Sequence, residues 1–167
     1  MDVSKCFESI YTHSISWATK NKKIIKSDQN TKISALFGQK LDKLMQSSNK
    51  NETNGIVVGP EFSRIFAEII LQTIDLNVIK KLENYNYKHQ KDYDICRYID
   101  DIFIFSNEIT LNKKIFEIYT DELSKFNLHI NESKTKKISR PFFTSKSRVI
   151  LKINNEVNEF SKSLFKF

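Results

Sequence analysis

The chain has 167 residues and a mass of 19.7 kDa, is 40% hydrophobic and 12% aromatic, and holds three Gly and two Pro, which fits one ordinary domain with a sizeable core and excludes disordered, collagen-like and linker-dominated classes. Cys6 and Cys96 stand far apart without a CxxC partner, no apolar run approaches the roughly 20 residues that span a bilayer, and no charged start leads into an apolar stretch, so disulfide, zinc, membrane and secreted readings give way to a reduced cytoplasm. The net charge of +7 is concentrated in residues 20–50, eight lysines against Asp28 and Asp42, and residues 132–152, seven Lys or Arg against Glu132, a pattern that suits polyanion binding as well as a plain lysine-rich solvated surface.

In chain order, residues 1–4 read as the end of a strand and Phe7 opens a helix to about residue 20. His13 and Trp17, one helical turn apart, read as structural. Ile33, Leu36, Phe37, Leu41 and Leu44 recur at helical spacing and predict a second helix over 31–46, followed by a polar loop over 47–54. Gly59-Pro60 then opens the strongest helix, because Pro suits a first helical position and Glu61 the positive end of the dipole. Its expected inward stripe is Phe62, Ile65, Phe66, Ile69, Ile70 and Thr73, with Glu61, Arg64, Glu68, Gln72 and Asp75 on the wet face. A loop over 85–92 precedes two β-prone runs, 94–99 and 102–105, which predict a hairpin with Asp100-Asp101 at its tip. A helix over 111–125, a strand over 128–130, a polar turn over 131–133 and a strand near 135–138 complete the order of a split β-α-β, ferredoxin-like α+β fold with helices on one face. Residues 149–153 are read as one further strand.

Two carboxylates flanked by Tyr98, Ile99, Ile102, Phe103, Ile104 and Phe105 place negative charge against apolar walls, where it is costly without a cation. Divalent magnesium, which takes a few carboxylate oxygens plus substrate phosphates, is the usual partner, and Asp2, on a strand end beside the hairpin, supplies a third acid. Three such aspartates suit two-metal phosphoryl transfer; a solvated turn is the plain alternative for Asp100-Asp101 alone.

Tyr98-Ile99-Asp100-Asp101 resembles the YxDD box of reverse transcriptases. Three further segments resemble that family's boxes in the family's order: Asp2-Val3-Ser4-Lys5-Cys6-Phe7, Asn54-Gly55-Ile56-Val57-Val58-Gly59-Pro60, and residues 128–135 ending in Lys134-Thr135. The resemblance implies a polymerase palm over 1–139, with 140–167 as an extension that is either palm edge or the start of a thumb. It implies two magnesium or manganese ions held by Asp2, Asp100, Asp101 and the carbonyl of Val3. It implies that Lys134 protonates or neutralises departing pyrophosphate, and that Phe7, Gly59 and Tyr98 bind substrate, with Phe7 as a steric gate favouring deoxynucleotides. Plain readings stand beside these: Phe7 as a core aromatic, Gly59 as a helix-entry turn and Lys134 as a solvated turn lysine.

Most template-copying relatives carry Pro-Gln before the glycine at Gly59, where this chain has Val57-Val58, so untemplated synthesis is a further implication. Phrases over 11–18 and 59–71 resemble bacterial phage-defence reverse transcriptases, including abortive-infection types. Deoxynucleoside triphosphates and RNA or DNA are the implied partners, along with fingers and thumb segments missing from a chain that begins one residue before Asp2, so the isolated chain is expected to be an inactive fragment. A non-catalytic nucleic-acid-binding module is the alternative function, and self-association through an apolar, fingers-facing surface is a third.

Overall fold

The computed structural model describes residues 1–19, 37–140 and 144–164. Along the chain it forms α1 (Cys6–Ser9), α2 (Ser14–Thr19), α3 (Phe37–Ser48), α4 (Glu61–Asn84), β1 (Tyr93–Tyr98), β2 (Asp101–Ser106), α5 (Ile109–Ser124), a 3-10 turn (Glu132–Lys134) and α6 (Ser145–Leu164). Two units divide these elements, Met1–Thr135 and Lys136–Phe167.

The first unit is built on four antiparallel segments. β1 and β2 pair with Tyr93 opposite Ser106 and Tyr98 opposite Asp101. Residues 1–3 lie along β2: Met1 and Ile102 exchange hydrogen bonds of 2.8 Å each, and the Val3 N–H donates to the Asp100 carbonyl at 3.1 Å. Their other edge meets residues 129–131, where Ser4 N–H donates to His129 and Asn131 N–H to Asp2, both at 2.8 Å. Only single bridges, Asp2 to Asp101 and Val3 to Ile130, join these outer segments, so they extend the hairpin without forming full strands. The spatial order of residues 129–131, the N-terminal segment, β2 and β1 is that of a split β-α-β. The chain is therefore α+β, as its order of elements implies.

Helices α4 and α5 pack against each other, α5 against β2, and α2 against α3 and α4. Phe66, Ile70, Leu71, Ile74, Val78 and Leu82 of α4 join Ile115, Tyr119 and Leu123 of α5 and Ile102 of β2 in one buried cluster. Burial at ~25 cal/mol per Å² makes this cluster the dominant stabilising contribution.

Several local expectations change. The helix expected from Phe7 onward breaks at Ile10, whose backbone is extended, because residues 7–12 give their hydrogen bonds to a distant loop. Ile56 N–H donates to Phe7, Gly55 N–H to Ile10, and Thr12 N–H to Thr53. The second helix starts by Phe37 and runs to Ser48; its expected first turns, 31–36, lie outside the described residues. In α4 the inward stripe is offset and wider than its periodicity suggests: Ile65 is exposed, while Ser63, Ala67 and Leu71 are buried, since α2 and α5 both cover the helix. Residues 135–138 form no strand, because the chain turns at Thr135, whose N–H bonds Glu132 and whose hydroxyl bonds the Asn131 carbonyl. In the second unit residues 149–153 are helical, not extended: the Thr144 hydroxyl accepts the Ser147 N–H at 3.1 Å and caps α6.

Candidate functional site

The hairpin turn sits one residue earlier than the pattern of apolar runs implies. With Tyr98 opposite Asp101, the two turn residues are Ile99 and Asp100, and Asp101 opens β2. Ile99 takes φ +55°, a left-handed conformation that a β-branched residue adopts at a cost of about 1–2 kcal/mol. Surrounding contacts must therefore hold it.

Around that turn the backbone brings Asp2, Asp100 and Asp101 onto adjoining segments, since Asp2 bridges Asp101 and the Val3 N–H bonds the Asp100 carbonyl at 3.1 Å. Asp2 is buried, Asp100 half-buried and Asp101 exposed. Lys134, delivered by the 3-10 turn, places its ammonium 3.1 Å from Oδ2 of Asp2. That hydrogen bond first, with the charges of Asp2, Asp100 and Asp101, holds the Lys134 ammonium above its ordinary range. Beneath the acids lies Cys6, whose thiol burial pushes up to about 12, with Asp100 and Asp2 adding to the shift and Arg97 opposing it.

Among the described residues, no three His, Cys, Asp or Glu side chains are arranged as they stand to hold a metal ion. Asp2 is already satisfied by Lys134, while the Asp100 and Asp101 carboxylates form no hydrogen bond or ion pair among those residues. The donor set itself is nonetheless of the right kind for a hard divalent cation: carboxylate oxygens on adjoining backbone, one of them already facing a cation. Val3 is buried between the two neighbouring segments.

The remaining candidate positions are Phe7 in α1, Gly59 on the loop before α4 and Tyr98 at the end of β1. Phe7 is half-buried against the core, and its carbonyl accepts the Ile56 N–H at 2.8 Å. Gly55 has φ +83°, and a Cβ there would stand 3.1 Å from the Glu8 carbonyl oxygen, so loop and α1 approach too closely for a side chain. Gly59 has φ +116° with open space where its Cβ would be, and Val58 beside it is 72% exposed. Tyr98 is likewise 72% exposed, opposite Asp101. His13 binds the buried Asp42 through Nδ1 and stacks edge-on against Tyr11, which also meets Trp17.

One residue beside the site escapes a pattern-based reading. The Arg97 side chain is 6% exposed and donates from Nη1 and Nη2 to Glu68 at 2.7 and 2.8 Å, from Nε to Asp75 at 2.8 Å, and from Nη1 to the Ile99 carbonyl at 3.0 Å. Glu68 and Asp75 are thus not on a wet face. A signal was available: the two acids stand seven positions apart, which puts them on one face of α4, and a lone arginine sits among apolar β1 positions.

The family model described as reverse transcriptase (RNA-dependent DNA polymerase) matches residues 1–159. No curated protein matches the chain.

Proposed function

The chain belongs to the reverse transcriptase (RNA-dependent DNA polymerase) family, and on that premise we propose that it is a polymerase palm whose catalytic acids are Asp2, Asp100 and Asp101. The observation that carries this reading is their meeting across one strand spacing, with Asp2 bridged to Asp101 and Val3 bonded to Asp100. The reaction is nucleotidyl transfer: a primer or protein hydroxyl attacks the α-phosphorus of a deoxynucleoside triphosphate, a phosphodiester bond forms, and pyrophosphate leaves.

Asp2, Asp100, Asp101 and the Val3 carbonyl would hold magnesium or manganese. Two such ions, when bound, supply activation of the attacking hydroxyl and neutralisation of the leaving pyrophosphate. Lys134, kept charged by the neighbouring carboxylates, protonates or neutralises that leaving group. The Phe7 ring bounds the 2′ side of the sugar, and Gly59 and Tyr98 contact nucleotide or template. Val57-Val58, in place of a polar pair, extends the proposal to synthesis with little template contact, and the phrases over 11–18 and 59–71 extend it to bacterial antiphage defence in the cytoplasm.

Titrating the full chain with Mn²⁺ and a deoxynucleoside triphosphate, followed by water proton relaxation, tests the reading. Wild type should bind the metal–nucleotide pair, and Asp2→Asn or Asp100→Asn should weaken binding by more than about tenfold. Equal binding by wild type and both variants, or none by wild type, overturns it.

A further inference from the structure

We infer that Arg97 is a positioning residue that fixes the distance between Asp100 and the segment carrying Asp2, by holding the strained Ile99 turn from below. The turn exposes two carbonyls to tether it, and each has one anchor. The Ile99 carbonyl accepts from Arg97 Nη1 at 3.0 Å, and the Asp100 carbonyl accepts from Val3 N–H at 3.1 Å. One anchor ties the tip to the helix layer and the other ties it to the residue after Asp2.

The guanidinium can serve as a fixed post because it does not move itself. Its fork is gripped by both oxygens of Glu68 and by Asp75, and those acids are held in turn by Gln72, at 3.1 Å from Glu68, and by the Tyr119 hydroxyl, which donates to Asp75. Planar donors at fixed angles meet three acceptors in this way; a lysine ammonium has no such fork. Charge compensation of the catalytic acids is not its task, since one positive charge faces two carboxylates within its own network. A left-handed φ of +55° at Ile99 is retained only where surrounding contacts over-determine it, and the Arg97 bond is the contact that does so from the core side.

The inference concerns the turn itself, and only its consequence for metal rests on the proposed function. Two measurements on the full chain therefore separate them. Amide hydrogen exchange at Val3, whose N–H bonds the Asp100 carbonyl, reads the turn; Mn²⁺ affinity reads the site. Arg97→Lys should speed exchange at Val3 by about an order of magnitude while amides of Leu82 and Leu123, in α4 and α5, keep their protection. Mn²⁺ affinity should fall roughly 10- to 100-fold, as for loss of other groups that orient metal ligands. Glu68→Gln, which loosens the post but leaves the arginine in place, should give a smaller change of the same pattern.

Unchanged Val3 exchange in Arg97→Lys overturns the inference, and so does equal acceleration at Val3, Leu82 and Leu123 in both variants, which would make Arg97 a general scaffold residue. Absence of Mn²⁺ binding by the wild-type chain would sink the catalytic reading, while the Val3 measurement would still decide the role of Arg97.

Discussion

Cys6 reports on the carboxylates above it. A thiol reacts as its thiolate, and burial together with the charge of Asp100 pushes Cys6 up to about 12, so near neutral pH almost none is ionised. Iodoacetamide should therefore alkylate the exposed Cys96 in the native chain and reach Cys6 only after denaturation, as mass spectrometry before and after unfolding would record. Fast native labelling of Cys6 would contradict the burial described. The same negative charge should make the fold responsive to cations: magnesium or manganese should raise the melting temperature, and Asp100→Asn should blunt that rise. Phe7 offers a test of a different kind: under the proposed function its ring would lie against the sugar and leave no room for a 2′-hydroxyl. Phe7→Ala should narrow the preference for deoxynucleotides over ribonucleotides in a binding competition, and equal discrimination by both proteins would return Phe7 to the core.

At the scale of elements, α4 is clamped on two sides by buried or half-buried acids. Glu68 is bound by Arg97 of β1, and Glu122 of α5 is bound by Lys81 of α4 at 2.7 Å and Lys125 at 2.5 Å. The Arg97 hydrogen bonds hold Glu68 below the ordinary carboxylate range; for Glu122, burial alone would raise the value, but the two ammonium groups outweigh it and lower it. Groups with depressed folded values bind protons less readily in the native state than in the unfolded chain, so their stabilisation is full above the unfolded value of about 4.3 and is lost as pH falls through the folded values. Urea midpoints should accordingly drop on acidification below about pH 5, and Glu122→Gln should flatten that dependence. Near neutral pH the same variant should cost about 1–2 kcal/mol, less than a fully buried pair would lose, because Lys81 and Lys125 remain partly in water. This clamp marks where the sequence is legible and where it is not. Gly59-Pro60-Glu61 announces the start of α4 because the cues are local, and the YxDD run announces the hairpin. The turn is displaced by one residue because the pairing register and Arg97 place Ile99 in a conformation that its own propensity disfavours. The break between α1 and α2 depends on residues 53–56, more than forty positions away, and no local pattern encodes it. Residues 149–153 mislead for the opposite reason: Val149, Ile150 and Ile153 favour strands, but the Thr144 cap and the recurrence of Ile153, Val157 and Phe160 carry a helix through them.

At the scale of the whole molecule, the proposed function predicts that the excess of basic residues draws the chain to polyanions. Among the described residues no helix is long and apolar enough to cross a membrane, while 27 basic residues face 20 acidic ones. Each lysine or arginine that meets a phosphate releases a condensed counterion, so affinity for a single-stranded oligonucleotide should fall log-linearly with salt, with a slope near −0.7 for every phosphate neutralised. The carboxylates contribute in the other direction, since Asp2, Asp100 and Asp101 would repel a phosphate chain were Lys134 not set against Asp2 at 3.1 Å. Lys134→Gln removes that compensation along with its own positive charge and should weaken oligonucleotide binding in the absence of divalent metal. Adding Asp100→Asn to Lys134→Gln should restore part of the loss by taking away one of the repelling charges. Fluorescence anisotropy of a labelled oligonucleotide from about 50 to 200 mM salt, with chelator present, provides the measurement. A salt-independent affinity would rule out phosphate neutralisation as the driving force. A Lys134→Gln loss that Asp100→Asn leaves untouched would show that the lysine binds the nucleic acid directly rather than by quenching the field of the acids.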